Sequence, residues 1–402
     1  MVIAVFLRFY RLGQVPPSPD WDEAALGYNA YSVLKTGRDE YGTFLPAVLR
    51  SFDDYKPPLY MYFTVPSVAM FGLNIWSVRL PSAVMGSLAV WGTYLLVREL
   101  TGLMDQKNKV KFRYLPILSM FLLAVSPWHV HFSRIAFEAN SGVFLNIWFL
   151  VFFFRGLKQL RYLNLSAVCA SLALYAYHSE RVFIPLFLIF LFFAFRKNLT
   201  ETYRLKLLIP VILGVIIIIP LVISFTDPAS FTRLKGTSAL SDQTRILDRS
   251  VKKLMDDEKN HDLSGLIFDN RRIVYIQKIA EGYLSHFSLR WLFITGDNDR
   301  HHAPDMGLLY IVELPFLLFG IYKTAKMGGK YPAMMLFWLL ISPIAASPTS
   351  ETPHAIRTLL VNPCIEIITA AGIIGFLANF SEGQKIYRIG AITIITVLYI
   401  FN

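Results

Sequence analysis

The sequence predicts an all-α polytopic membrane protein that crosses the bilayer about 11 times. Three observations carry that reading. Of the 402 residues, 54% are hydrophobic, 15% aromatic and only 17% charged, where a soluble domain carries about 25% charged residues. The apolar residues gather into runs that approach the roughly 20 residues a hydrocarbon core requires. Between the runs, every second connection is short and rich in Lys and Arg, the pattern of cytoplasmic loops.

Taken in order, residues 1–7 are apolar but are interrupted by Arg8 and Arg11, and read as the last turns of a first helix. Further runs follow at 76–97, 114–125, 142–154, 163–177, 182–195 and 207–225, then at 308–322, 331–346, 359–380 and 389–401. The short first and last runs suggest a chain incomplete at both ends. The basic connections hold Lys107, Lys109, Lys111 and Arg113; Arg155, Lys158 and Arg161; and Arg196, Lys197, Arg204 and Lys206. The series continues with Lys323, Lys326 and Lys330, then Lys385 and Arg388. Segments 11–75, 126–141, 178–181, 226–307 and 347–357 then face outward. The sequons at Asn164 and Asn198 fall on the basic side, away from glycosylation. Residues 1–402 thus read as one transmembrane domain, with a first outer loop at 11–75 and a long outer loop at 226–307 suited to short helices on the membrane.

The net charge of +11 does not indicate nucleic acid, because the cations flank apolar runs instead of forming one patch. Cys169 and Cys364 sit singly in apolar runs, so buried packing is expected of both.

The acids near span ends are the first candidates for chemistry, since a carboxylate near hydrocarbon is costly unless solvated or paired. In the stretch from Pro16 to Ala25, prolines end the first segment and a helix can begin near Asp20 or Asp22, with Tyr28 and Tyr31 at helical spacing. Asp22 and Glu23 either carry chemistry or simply favour that helix's N-terminal dipole, with Asp20 as its cap. Asp53, Asp54 and Lys56 stand just before Pro57 and Pro58; Lys56 either meets a lipid phosphate or snorkels. Arg79 lies at the outer end of a span. Arg134 and Glu138 would share a helical face as an ion pair. His129 and His131 do not share one, which weakens a metal reading. Arg181 lies in a polar turn, and His354 and Arg357 precede the outer end of another span. Asp54, His286 and His302 are candidates for a divalent metal, although a solvated turn explains His302 and its neighbours equally well. No organic cofactor is indicated. Cations at headgroup depth, with Lys56, Arg134 and Arg357 the ones expected at the phosphate, suit a phosphate-bearing lipid donor, and a nearby carboxylate suits proton removal from an acceptor.

The ordered motifs resemble a known family. They are Asp22-Glu23 three residues after Pro19, Lys56-Pro57-Pro58-Leu59-Tyr60, and Val78-Arg79-Leu80-Pro81-Ser82. After them come Ser126-Pro127 ahead of Ser133-Arg134, and Pro353-His354-Ala355-Ile356-Arg357. Together they are similar to the dolichyl-phosphate-mannose protein mannosyltransferases, whose bacterial branch includes the lipid A aminoarabinose transferases. The resemblance runs along most of the chain and is strongest over 8–142. It implies a C-type membrane glycosyltransferase fold, with interfacial helices and the active site in the first outer loop. It implies Asp22 as general base with Glu23 beside it, Lys56 on the carrier phosphate, and Glu138 on the sugar. In the aminoarabinose branch a metal-binding glutamate precedes this lysine, but here the residue is Tyr55; Asp54 or Asp53 is the substitute. The implied reaction is inverting transfer of a sugar from a polyprenyl-phosphate donor to a glycan, lipid or protein acceptor, on the outer face of the plasma membrane. Rivals are a lipid-linked oligosaccharide ligase or polymerase and a transporter or flippase. The last requires ionisable groups at mid-membrane and related halves, whereas the acids read as lying at span ends.

Overall fold

The computed structural model describes residues 1–52, 54–226, 236, 238–239, 243–298, 306–380 and 382–401. Helix α1 (Val2–Phe9) is followed in the first loop by α2 (Trp21–Thr36), a hairpin of β1 (Leu49–Ser51) and β2 (Asp54–Lys56), and α3 (Leu59–Phe71). The bundle continues with α4 (Ile75–Gly102), α5 (Gln106–Lys111), α6 (Leu115–Val125), α7 (Pro127–Phe132) and α8 (Ala139–Gly156). Then come α9 (Leu160–Ala173), α10 (Glu180–Tyr203) and α11 (Leu208–Ser224). The long loop folds into α12 (Gln243–Lys259), α13 (Leu263–Phe268) and α14 (Arg271–Ser285). The chain ends with α15 (Glu313–Met327), α16 (Lys330–Ile341), α17 (Ala355–Thr358), α18 (Asn362–Leu377) and α19 (Lys385–Phe401).

Among the described residues, five helices are long and apolar enough to cross a membrane: Ile75–Gly102, Ala139–Gly156, Glu180–Glu201, Arg204–Ser224 and Ala355–Leu377. Four shorter apolar helices, Leu59–Phe71, Leu115–Val125, Lys330–Ile341 and Ile386–Tyr399, accompany them. The eleven expected from apolar runs therefore include segments that are too short or too polar on their own. Two further expectations are corrected. The chain leaves helical geometry between α7 and α8, so Arg134 and Glu138 do not share a helical face. Acids are also not confined to span ends: Glu366 is wholly buried inside α18, and Glu313, at the first position of α15, is wholly buried too.

Pro81 organises the packing around the first loop. A proline inside a helix lacks an N–H and leaves the carbonyl four residues earlier without its partner. That carbonyl, on Ser77, accepts from the Ser67 hydroxyl of α3. One residue on, the Tyr60 hydroxyl enters the ladder itself, donating to the Val78 carbonyl at 2.8 Å and accepting from the Ser82 N–H at 3.2 Å. The Ser82 hydroxyl in turn donates to the Phe132 carbonyl at 3.1 Å and accepts from Asn140 at 2.9 Å. One kink in α4 thus ties α3, α7 and α8 to the same level of the bundle. Tyr60→Phe should strip both Val78 and Ser82 of a buried partner and destabilise the fold by about 1–3 kcal/mol. A lowered midpoint of thermal unfolding in detergent checks this, and an unchanged midpoint would mean the kink satisfies itself.

Helix α1 is pinned by charge. Arg8 is wholly buried and donates to the carbonyls of Ala4, Leu123 and Ala124 and to Nδ1 of His129. Burial, reinforced by Arg8, holds His129 well below its ordinary pKa, so the ring stays neutral and accepts.

Candidate active site

The site begins with a helix start. Asp20 caps α2: its carboxylate accepts from the Asp22 N–H at 2.9 Å, and Glu23 reaches back to the Asp20 N–H at 3.1 Å. This reciprocal box satisfies donors that a helix N-terminus otherwise leaves bare, and such a cap contributes about 1 kcal/mol. It also places Asp22 and Glu23 in successive positions of the first turn, from which they diverge to different partners.

Asp22 meets Lys56. The lysine is the last residue of β2, where the hairpin register sets it opposite Leu49. The residue is 5% exposed, and its ammonium donates to Asp22 Oδ1. Snorkelling toward water is therefore not what Lys56 does. Asp22 is the more open partner, its side chain 18% exposed against 6% for Lys56.

Glu23 and Arg79 form a buried lock. Arg79 Nε and Nη2 each lie 2.8 Å from one oxygen of the Glu23 carboxylate, a bidentate fork. The other guanidinium protons go to the carbonyls of Leu12, Pro16 and Ser18, at 3.2, 2.8 and 3.1 Å. Glu23 additionally accepts from the Ala136 N–H at 2.9 Å. Five donors meet five acceptors, which suits Arg79 and Glu23 to positioning the loop. Arg134, expected at the phosphate, donates to the carbonyls of Leu7, Tyr10 and Val15 and so closes the C-terminal end of α1. Burial and then the nearby Arg79 lower its pKa.

The turn before α10 completes this region. His178 Nε2 donates to the Tyr55 carbonyl at 3.2 Å, and the Leu59 N–H reaches the Tyr175 carbonyl at 3.2 Å. Since Nε2 carries the proton, Nδ1 is an acceptor, and Arg181 Nη1 donates to it at 3.1 Å. Arg181 is thereby held beside the strand that ends in Lys56, and its guanidinium also covers the Phe225 ring at 5.3 Å. His178 was not singled out from the sequence as a site residue; a histidine two residues before the charged pair Glu180-Arg181 was the available signal. Glu138 is buried at the N-terminal end of α8.

His354 and Arg357 belong to a second cluster. His354 lies 3.7 Å from Asp297 and 3.8 Å from Glu351, and Arg357 donates to Thr349 at 2.6 Å. His286 uses both ring nitrogens on backbone, donating to Gly282 at 2.7 Å and accepting from the His354 N–H at 3.2 Å. Burial takes its pKa down to about 4, so it is neutral near pH 7. That bonding argues against His286 as a metal ligand. Asp54 accepts from its neighbour's N–H at 2.8 Å, while Asp53 and His302 lie outside the described residues. Among the described residues, no group of three or more His, Cys, Asp and Glu is placed to hold a metal ion.

Residues 55–224 match the family model for dolichyl-phosphate-mannose-protein mannosyltransferase, the family that the motifs resemble. The matched stretch opens one residue before Lys56. No curated protein matches the chain by sequence. The oligosaccharyltransferase AglB of Archaeoglobus fulgidus, solved with an inhibitory peptide and a dolichol-phosphate, has a TM-score of 0.56 at 15% identity; the match covers 100% of this chain and 53% of AglB. ArnT of Cupriavidus metallidurans, solved with undecaprenyl phosphate, has a TM-score of 0.56 at 15% identity, covering 98% of this chain and 62% of ArnT. The A. fulgidus oligosaccharyltransferase tethered to a sequon-bearing acceptor peptide has a TM-score of 0.58 at 14% identity, covering 100% and 53%. The chain thus spans between about half and three fifths of the length of these proteins. At these identities the shared property is the fold alone.

Proposed function

We propose that this chain is the membrane core of a glycosyltransferase that moves a sugar from a polyprenyl-phosphate donor to an acceptor at the loop-rich face of the bundle. One observation carries the reading: a partly exposed carboxylate, Asp22, rests on a buried ammonium, Lys56, in the first loop of an apolar helical bundle. The family match over 55–224 and the polyprenyl phosphate bound in a structural neighbour support it.

In the resting state Lys56 neutralises Asp22. An arriving donor phosphate competes for that ammonium, and Arg181 nearby adds a second positive charge. Release of Lys56 frees a carboxylate oxygen of Asp22. The acceptor's nucleophile then attacks the anomeric carbon from the side opposite the phosphate, and the bond from that carbon to the phosphate oxygen breaks. The electron pair leaves with the polyprenyl phosphate, the acceptor's proton passes to Asp22, and the anomeric configuration inverts. A positioned base contributes about 10²–10⁴-fold, and charge stabilisation on the leaving phosphate adds to it. In this reading Glu138 contacts the sugar, while His354 and Arg357 stay in their separate cluster with Asp297, Glu351 and Thr349. The alternation of basic connections supports a site facing outward at the plasma membrane.

The test is transfer of label from radiolabelled polyprenyl-phosphate sugars to a membrane extract, using the purified full chain. Label moving only from a single-sugar donor supports the reading. Label moving only from a lipid-linked oligosaccharide assigns the chain to oligosaccharide transfer instead, and label retained by every donor removes the transferase assignment.

A further inference from the structure

Two carboxyl groups that the proposed reaction does not use lie inside the bundle. Glu313 opens α15 and Glu366 sits on the second turn of α18, and both are wholly buried. The two helices touch backbone to backbone: a Cβ on Gly320 would lie 2.1 Å from the Ile368 carbonyl oxygen, and one on Gly372 would lie 2.0 Å from that of Phe316. This close approach, of the kind small residues permit between membrane helices, puts the two carboxyls within electrostatic reach of each other and of Tyr310. Tyr399 donates to Glu313 Oε1 at 3.3 Å.

The surrounding oxygens outnumber their donors. Glu366 Oε1 and Oε2, Glu313 Oε2, Asn362 Oδ1 and Thr369 Oγ1 are all buried without a hydrogen-bond partner among the described residues. Asn362, Glu366 and Thr369 are spaced i, i+4 and i+7, one face of α18. The Asn362 amide donates to the Ser126 hydroxyl at 3.1 Å, and that hydroxyl lies at the Glu366 carboxyl. The orphaned amide oxygen therefore belongs to the same cluster as the acids. Neither Glu313 nor Glu366 has a Lys, Arg or His partner among the described residues. Burying an ionised carboxylate without a counter-charge costs several kcal/mol.

We propose that Glu313, Asn362, Glu366 and Thr369 hold a divalent cation of the calcium class between α15 and α18. Two carboxylates match its charge, and a donor set made only of oxygens matches a hard ion. Magnesium keeps several of its waters, whereas calcium accepts carboxylate, amide and other neutral oxygens in flexible geometry. A site wholly enclosed by protein favours the latter. The ion would clamp α15 to α18 and, through Glu313, to Tyr399 on α19. None of these residues carries the proposed transfer chemistry.

Terbium is the probe, because tyrosines beside the site can sensitise its luminescence and calcium should displace it. The full chain in detergent, stripped with chelator, should regain thermal stability with calcium. Glu366→Gln should weaken ion binding by at least about tenfold and abolish the chelator's effect on the unfolding midpoint. Asp22→Asn should bind the ion as the wild type does, which keeps this result separate from any failure of the transferase reading. If Glu366→Gln does not fold, Asn362→Ala, which leaves the charge unchanged, carries the test and should also weaken binding. Titrations of a folded variant that overlay the wild type would overturn the proposal. So would a wild-type midpoint indifferent to chelator, which is the behaviour of acids that simply hold protons.

Discussion

Asp22→Asn is expected to lower sugar transfer by about 10²–10⁴-fold while leaving the protein folded in the membrane. The amide keeps the size of the side chain and its place in the first turn of α2 but cannot take a proton. The split between kinetic constants is the sharper test. Lys56 is buried and donates to Asp22, so removing the carboxylate's charge leaves the ammonium for the donor phosphate. Apparent affinity for the donor should hold or improve as kcat collapses. Lys56→Met should do the reverse, raising KM for the donor because the cation that meets the phosphate is gone. Steady-state rates against donor concentration, on both variants, check this. Wild-type turnover by Asp22→Asn would remove Asp22 from the mechanism.

Arg79→Ala should have the largest effect on stability. Removing one partner of a buried pair leaves the other charge uncompensated and costs about 3–5 kcal/mol. Here the loss extends beyond Glu23, because the same guanidinium holds the carbonyls of Leu12, Pro16 and Ser18. The segment between α1 and α2 should exchange its amide hydrogens faster, and the unfolding midpoint should fall. The double variant Arg79→Met with Glu23→Gln should recover part of that loss, since it buries no charge. Equal midpoints for the single and double variants would show that the pair is not what anchors the loop. Transfer should fall in Arg79→Ala as well, because Asp22 sits one residue from Glu23 on the same turn.

The residues differ in how far they could be read in advance. Asp20, Asp22 and Glu23 follow a run of prolines, and that local chemistry predicted a helix start at the place where α2 begins. Arg79 in an apolar run announced that it needs a partner, yet Glu23 lies 56 residues earlier. The alternative of an Arg134–Glu138 helical pair fails because the helix it needs ends at Phe132, and Arg134 instead donates to carbonyls at the end of α1. Glu313 and Glu366 were passed over because each run was read as apolar overall, and a single acid barely changes that average. Their proximity arises from Gly320 and Gly372, and nothing in either run taken alone pairs those glycines.

Hydrocarbon leaves a backbone few choices, so composition and the rhythm of apolar runs were enough to dictate a helical bundle and its basic connections, while the loop proposed for chemistry came from the resemblance of its motifs. They could not select which acid answers which base. Asp22 with Lys56, Glu23 with Arg79, and Glu313 with Glu366 are each joined by packing across long stretches of chain. A charge inside a low-dielectric bundle is governed by its nearest neighbours in space, whatever their distance along the sequence.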